Sequence, residues 1–289
     1  MKPIRDSWGS RLGIIMAVAG SAIGLGNFLR FPAKAAANGG GAFIIPYLVA
    51  FFLLGLPLMW IEWAMGRFGG GFGHGTAPGI FHSIWQKNRF IRYFGVIGIF
   101  GPLVIFIYYT FIESWTLGYS FFSLIGKIAP INDQATMQSF LSGYQGVQKN
   151  QFFNTLGWAY LFFIITFSLN ITVIYHGIKG GIEKLCNWAL PILFACAILL
   201  MIRVLTLGTP DPSHPDWNIN NGLGFLWNPD FSALKSAKVW LEASGQILFT
   251  LSVGIGMILT YASYLKKGDD VVLSGLTAAS TNELAEVIL

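Results

Sequence analysis

Two short stretches place glycine and polar residues where an unbroken apolar helix would be expected. Residues 22–27 read "AIGLGN" and residues 252–257 read "SVGIGM". Both run small, β-branched, Gly, aliphatic, Gly, then a longer side chain, and each lies inside a long uncharged run. Glycine in a helix interior costs about 1 kcal/mol relative to alanine. Backbone that unwinds within hydrocarbon must be satisfied by protein, water or a ligand. At such a break, half-helix N-termini aim positive dipole ends at anions, and freed carbonyls coordinate cations. Gly20 and Gly24 also form a small-xxx-small pair, so close helix packing is the competing reading of the first stretch alone. Two breaks of matching pattern, five helices apart, are what an inverted-repeat transporter shows.

The elements that must carry these breaks are legible in hydropathy. Uncharged runs cover Leu12–Leu29, Gly41–Ile61, Tyr93–Ile112, Leu156–Tyr175, Leu185–Ile202 and Ala243–Leu265. Each is near the roughly 20 residues a membrane helix needs, so six spans are expected. A seventh begins near Val271 and runs to the last residue. Hydrophobic residues make up 54% of the chain and charged ones 11%, against about 25% charged in soluble domains. The expected fold class is therefore an all-α polytopic membrane protein.

Loop charge sets the orientation. With the N-terminus in the cytoplasm, inner segments hold Lys2, Arg5, Arg11, Arg67, Lys87, Arg89, Arg92, Lys179, Lys184, Lys266 and Lys267. The two long outer loops, roughly 120–155 and 206–236, hold only Lys127, Lys149 and Lys235. The first apolar run has no small-residue cleavage site after it, so the segment "MKPIRDSWGSR" reads as retained. A multi-pass protein of the cell (inner) membrane, embedded in the lipid bilayer with a cytoplasmic N-terminus, is expected.

Charged groups within or beside spans need partners. Glu62, near an unwound segment, is expected to bond backbone amides. Glu113 and Glu242, nearer the outer interface, are expected to be solvated, and Glu286 is the fourth such carboxylate. Other function classes find no support. His74, His82, His176 and His214 all fall in predicted loops, leaving no Ser–His dyad for an intramembrane protease. No GxxxxGK[ST] phosphate cradle is present, and basic residues form no patch for nucleic acid. Cys186 and Cys196 lie ten residues apart on one predicted helix, too far to pair, and read as apolar filler. The chain is not expected to be an enzyme. A membrane channel or structural scaffold without coupled transport is the alternative.

Several motifs resemble one known family. "GLGNFLRFP" (24–32), "NGGGAFIIPY" (38–47), "WIEWAMGR" (60–67), "IYYTFIESWTLG" (107–118), "GQILFTLSVGIG" (245–256) and "SGLTAASTNELAEVIL" (274–289) are similar to the neurotransmitter:sodium symporter family. The likeness is nearest to its bacterial amino-acid transporters, the leucine transporters in particular, and covers the whole chain. It implies an inverted-repeat transporter fold with broken helices 1 and 6, truncated in helix 7. Residues 1–289 would then be a single transmembrane domain: 1–206 the first five-helix repeat, and 237–289 the incomplete start of the second. The chain would be an N-terminal fragment of a transporter, inactive alone, and the full-length protein a candidate homodimer.

The same resemblance implies a site and sodium-coupled symport of a small, hydrophobic amino acid by alternating access. One sodium ion would meet the Ala22 carbonyl, the side chains of Asn27, Thr250 and Asn282, and the substrate carboxylate. A second would meet the carbonyls of Gly20 and Ile23, its other ligands lying on an eighth helix beyond this sequence. The substrate carboxylate would also meet the Gly26 amide and Tyr108 hydroxyl. Its ammonium would meet carbonyls of Ala22, Phe249 and Thr250 and the Ser252 hydroxyl. Val104, Tyr108, Phe249, Ser252 and Ile255 would line the side-chain pocket. Arg30 and Phe249 would form an outer gate, and Arg5 and Trp8 an inner one, assisted by Tyr264. Monoamine-transporting relatives have aspartate at position 24. Here Gly24 leaves no fixed anion to compete with a substrate carboxylate. Ser21 and Ile255 replace asparagine and phenylalanine of the leucine transporter; both are smaller, which suggests a roomier pocket or a different substrate side chain. Glu286 stands where chloride-requiring relatives have a small hydroxyl residue. Its carboxylate would substitute for chloride, with Tyr47, Gln246 and Thr250 around it and proton counter-movement as a corollary. Without the family pattern, Asn27 and Asn282 could simply bond across helices, Thr250 and Ser252 back to their own helix, and Tyr108 and Phe249 could be filler.

Overall fold

The computed structural model describes residues 6–289, so Arg5 of the expected inner gate lies outside the described residues. Its helices are α1 (Arg11–Ala22), α2 (Phe31–Ala37), α3 (Ile44–Ala50), α4 (Leu56–Gly71), α5 (Ala77–Ile84), α6 (Ile91–Phe94) and α7 (Ile97–Leu124). There follow α8 (Gln134–Tyr144), α9 (Gly157–Tyr175), α10 (Lys184–Leu205), α11 (Ile219–Trp227), α12 (Ala237–Thr250), α13 (Met257–Ala262) and α14 (Val272–Glu283). No strand occurs among the described residues.

Among the described residues, four continuous helical stretches are long and apolar enough to cross a membrane: Gly40–Gly71, Ile91–Leu124, Gly157–Tyr175 and Ile178–Leu205. They contain the second to fifth expected spans. The first is a bent pair, Arg11–Ala22 with Gly26–Ala37, turned by 41° at the glycine stretch. The sixth is likewise split, α12 stopping at Thr250 and α13 starting at Met257. The polypeptide thus breaks in the two places that its sequence marked. Cys186 and Cys196 share α10 and are both free, as expected. His82, expected in a loop, lies instead in the short helix α5.

Contacts divide the chain into two units, residues 1–100 with 178–289, and residues 101–177. In the first, α13 packs on α4, α12 on α3, and α1 on both α14 and α10. Lipid supplies no hydrophobic drive between helices, so close backbone approach must hold them. Gly66 and Gly70 of α4 provide it. A Cβ at Gly70 would lie 2.0 Å from the Ser263 carbonyl oxygen, and one at Gly66 2.5 Å from that of Leu259. Fully buried Tyr47, Met59, Trp63 and Ile247 lie in the core behind this contact. The second unit has an aromatic core of Phe122, Phe140, Tyr144, Phe153 and Phe162. Its Glu113, expected to be solvated, instead accepts a hydrogen bond from Asn170 Nδ2 on α9 at 2.8 Å. The neighbouring turn of an antiparallel helix satisfies that carboxylate more cheaply than exposure among apolar side chains would.

Candidate functional site

The first unit brings the two breaks together. α1 ends as Ile23 turns to φ −76°, ψ 115°. The Gly24 amide then donates to Asn27 Oδ1 at 2.8 Å rather than to the Gly20 carbonyl, as it would in a continuous helix. One side chain therefore both closes the turn and frees a carbonyl. In the sixth span, Ser252, Gly254 and Gly256 all adopt positive φ (54°, 85° and 84°), which stops helical propagation. Glu62 accepts from the Gly254 amide, as expected for a carboxylate beside unwound backbone. The missing side chain of Gly26 lets the breaks touch: a Cβ there would lie 3.3 Å from the Phe249 ring and 3.5 Å from Thr250 Oγ1.

Behind that contact lies a buried polar cluster built from the first break, α12 and the end of α14. Glu286, 5% exposed, is its hub. It accepts from Asn27 Nδ2 at 3.0 Å, from Gln246 Nε2 at 2.6 Å, from Asn282 Nδ2 at 3.5 Å and from the Thr250 hydroxyl. Asn27 Nδ2 also donates to Asn282 Oδ1 at 2.9 Å, and Asn282 Nδ2 to Thr250 Oγ1 at 3.2 Å. Gln246 Nε2 reaches the Gly26 carbonyl at 3.1 Å, locking α12 to the first break. Tyr47, fully buried, adjoins Glu283 and Glu286. A carboxylate so far from water is tolerable only because its lone pairs are filled.

Other expected site residues fall as follows. The Arg30 guanidinium lies over the Phe249 ring, 4.3 Å from its centroid. Ala22 and Ile23 are buried, and Ser252 and Ile255 are partly exposed in the unwound segment. Val104 and Tyr108 belong to the second unit, on α7, and Tyr108 packs edge-on against Tyr109 at 5.6 Å. Trp8 is buried and donates from its indole to the Tyr261 carbonyl at 2.9 Å, ring against ring. Tyr261 is thus a ring packed against Trp8. Tyr264 is partly buried and packs against the same core.

Sequence reasoning missed one carboxylate of this unit, Glu183, and the partner of another, Glu242. Glu183, 5% exposed, accepts from the Gly9 amide at 2.7 Å and the Ser10 hydroxyl at 3.0 Å, fastening the segment before α1 to the start of α10. Glu242, expected to be solvated, pairs instead with Lys34 at 2.6 Å. Lys34 lies in the last turn of α2, and Glu242 on α12 faces it where these two half-helices meet. Only the tertiary meeting of those half-helices puts a counter-charge there.

Known proteins are similar to this chain in sequence and in fold. The model of the sodium:neurotransmitter symporter family matches residues 5–139 and 132–289. The chain belongs to that family. It is 34% identical over 281 residues to an uncharacterised sodium-dependent transporter of Methanocaldococcus jannaschii, covering 96% of this chain and 53% of the relative. A sodium-dependent transporter of Bacillus subtilis is 30% identical over 287 residues, covering 99% and 58%. The crystal structure of MhsT in complex with L-phenylalanine superposes with a TM-score of 0.80 at 31% identity, covering 98% of this chain and 59% of that one. The symporter chain therefore spans just over half the length of these relatives. Homologues are sodium-dependent transporters and not enzymes. The donor set fits the ion that they require. Asn27, Thr250 and Asn282 offer neutral oxygens, the break frees backbone carbonyls, and a buried carboxylate stands one hydrogen bond away, which together suit a hard cation.

Proposed function

We propose that these residues form the ion- and substrate-facing part of a sodium-coupled amino-acid symporter. The observation that carries this is the meeting of two broken spans at one buried cluster of Asn27, Gln246, Thr250, Asn282 and Glu286. In the proposed arrangement Ala22, Asn27, Thr250 and Asn282 hold one sodium ion together with the substrate carboxylate. Gly20 and Ile23 contribute carbonyls to a second. Gly26 binds the carboxylate, Phe249, Thr250 and Ser252 receive the ammonium, and Ile255 faces a small apolar side chain. Gly24, without a charge of its own, leaves the carboxylate unopposed, and MhsT, solved with L-phenylalanine, supports an amino acid as the substrate class.

Arg30 over Phe249 closes the outer side in this reading, and Trp8 on Tyr261, with Arg5 and Tyr264, the inner side. Residues 1–206 form the first inverted repeat and 237–289 the start of the second. The protein sits in the cell membrane with its N-terminus in the cytoplasm. Transport itself is proposed for a chain of the relatives' length. Rocking one bundle against another needs an opposing framework, and these residues span 53–59% of the relatives compared above. Equilibrium binding of radiolabelled amino acids by a chain of that length, in sodium against potassium, tests the function. Saturable binding in sodium only is expected. Ion flux without saturable, sodium-dependent binding would establish a channel instead. Sodium-driven uptake by residues 1–289 alone would overturn the proposed division of labour.

A further inference from the structure

A second cavity lies away from the breaks, where the span Gly40–Gly71 ends. Its volume is about 570 Å³, and Arg67, Phe68, Gly71, Phe72, Leu265 and Lys267 form its walls. The glycines of α4 explain why it exists. Gly66 and Gly70 press α4 onto the carbonyls of Leu259 and Ser263, and the cavity lies beside that contact, lined by the end of α4 and the segment leaving α13. Arg67 and Lys267 are thereby brought to one concavity from positions 200 residues apart in sequence.

Charge and hydropathy in this cavity are split. Phe68 and Phe72 pack at a tilt, ring centroids 5.1 Å apart, and are each about half exposed, giving an apolar wall at the end of a membrane-crossing segment. The cations beside them lack acidic partners. Arg67 donates one hydrogen bond to the Asp269 carbonyl, which orients its guanidinium without neutralising it. Of the two carboxylates next in sequence, Asp270 is paired with Arg11, whereas Asp269 is held by a backbone amide and keeps its charge. Asp269 accepts from the Lys266 amide at 2.8 Å, and Asp270 takes Arg11 at 3.3 Å and the Leu273 amide at 3.0 Å. Among the described residues neither Arg67 nor Lys267 forms an ion pair.

We propose that this cavity binds the phosphate headgroup of an anionic phospholipid, with Arg67 and Lys267 on the phosphate and Phe68 and Phe72 along the first acyl carbons. Each half of the ligand has a counterpart. A doubly basic pocket at headgroup depth attracts anionic lipid, and aromatic side chains prefer that same interface. Arg67 presents a planar fork suited to two phosphate oxygens, and Lys267 a mobile point charge. A free phosphate would leave the phenylalanine wall unused, which is why the lipid is the occupant. On the proposed orientation this leaflet is the cytoplasmic one, where anionic lipids give the surface its negative potential.

Native mass spectrometry of the transporter, released from membranes of phosphatidylcholine mixed with phosphatidylglycerol, tests the site. The unaltered protein is expected to retain phosphatidylglycerol selectively, and Lys267→Gln to lower that retention about fivefold, the factor one cation contributes near an anionic surface. Arg67→Gln should lower it further. Because Arg67 also holds the Asp269 carbonyl, Lys267→Gln, whose side chain has no structural bond to lose, remains the deciding variant. Lys235→Gln, on the outer loop, should change nothing. Unchanged retention in Lys267→Gln, equal loss in Lys235→Gln, equal retention of phosphatidylcholine, or displacement of the lipid by excess inorganic phosphate would each overturn the proposal. None of these outcomes bears on sodium-dependent amino-acid binding, which is read separately.

Discussion

At Glu286 four donors converge on one buried carboxylate, which satisfies hydrogen-bonding capacity left over from their bonds to one another and to the Gly26 carbonyl. An unsatisfied buried donor costs about 1–3 kcal/mol, so a neutral replacement demands another anion. We propose that the Glu286 carboxylate supplies a charge that chloride would otherwise provide: in a chain of the relatives' length, Glu286→Ser should make uptake fall in chloride-free medium and recover when chloride is restored. A requirement for chloride in the unaltered protein would contradict the role proposed for this carboxylate. Asn27 and Asn282 allow a different check, because they bond each other and both neighbour Glu286. If one sodium ion touches both the asparagines and the substrate carboxylate, linkage makes ion and amino acid strengthen each other by the same factor, typically about 5–150-fold. Asn27→Ala or Asn282→Ala should thus shift the sodium and amino-acid affinities together, by about tenfold or more. Isothermal binding measured as a grid of both ligands reads this. A variant losing amino-acid affinity with unchanged sodium dependence would remove that residue from the ion site.

Between elements, glycine contacts and one ion pair set how the half-helices lie. Gly70 meets the Ser263 carbonyl with no room for a Cβ, so Gly70→Ala forces α4 and α13 apart, and overpacking of this kind costs about 1–3 kcal/mol. Gly245→Ala on α12, where nothing lies within 4 Å of the new methyl, should be neutral or stabilising through helix propensity. Thermal unfolding in detergent should separate the two in that order. At the opposite ends of the broken spans, the Lys34 hydrogen bond and charge hold the Glu242 carboxyl below its usual range. A carboxyl whose pKa falls on folding adds stability above its unfolded value of about 4.3, and that stability is lost as pH drops through the lowered folded value. Lys34→Gln should flatten this acid limb of the unfolding profile. It should also remove its sensitivity to salt, since partly exposed pairs are screened. A wild-type profile that is already flat and insensitive to salt would show that the pair does not couple α2 to α12.

For the whole molecule, the sequence determined what local physics can specify. Runs of uncharged residues located the spans, because backbone in hydrocarbon has few options other than helix. Glycine spacing located both breaks, because each such residue weakens a helix wherever it is placed. The placement of Glu62 on an unwound amide and the neighbours of Glu286 were readable from motif and from family likeness. Partner choice was not legible for Glu183, Glu242, Glu113 or Trp8. Glu183 reaches Ser10 and Trp8 reaches Tyr261 across 173 and 253 residues. No periodicity links positions that far apart, and hydropathy scores a glutamate the same whether it is paired or wet. The tertiary structure alone decided those pairings. It also decided that Arg67 and Lys267 share a cavity, because helix packing through Gly66 and Gly70 fixes which loop ends meet, and close approach depends on both surfaces at once.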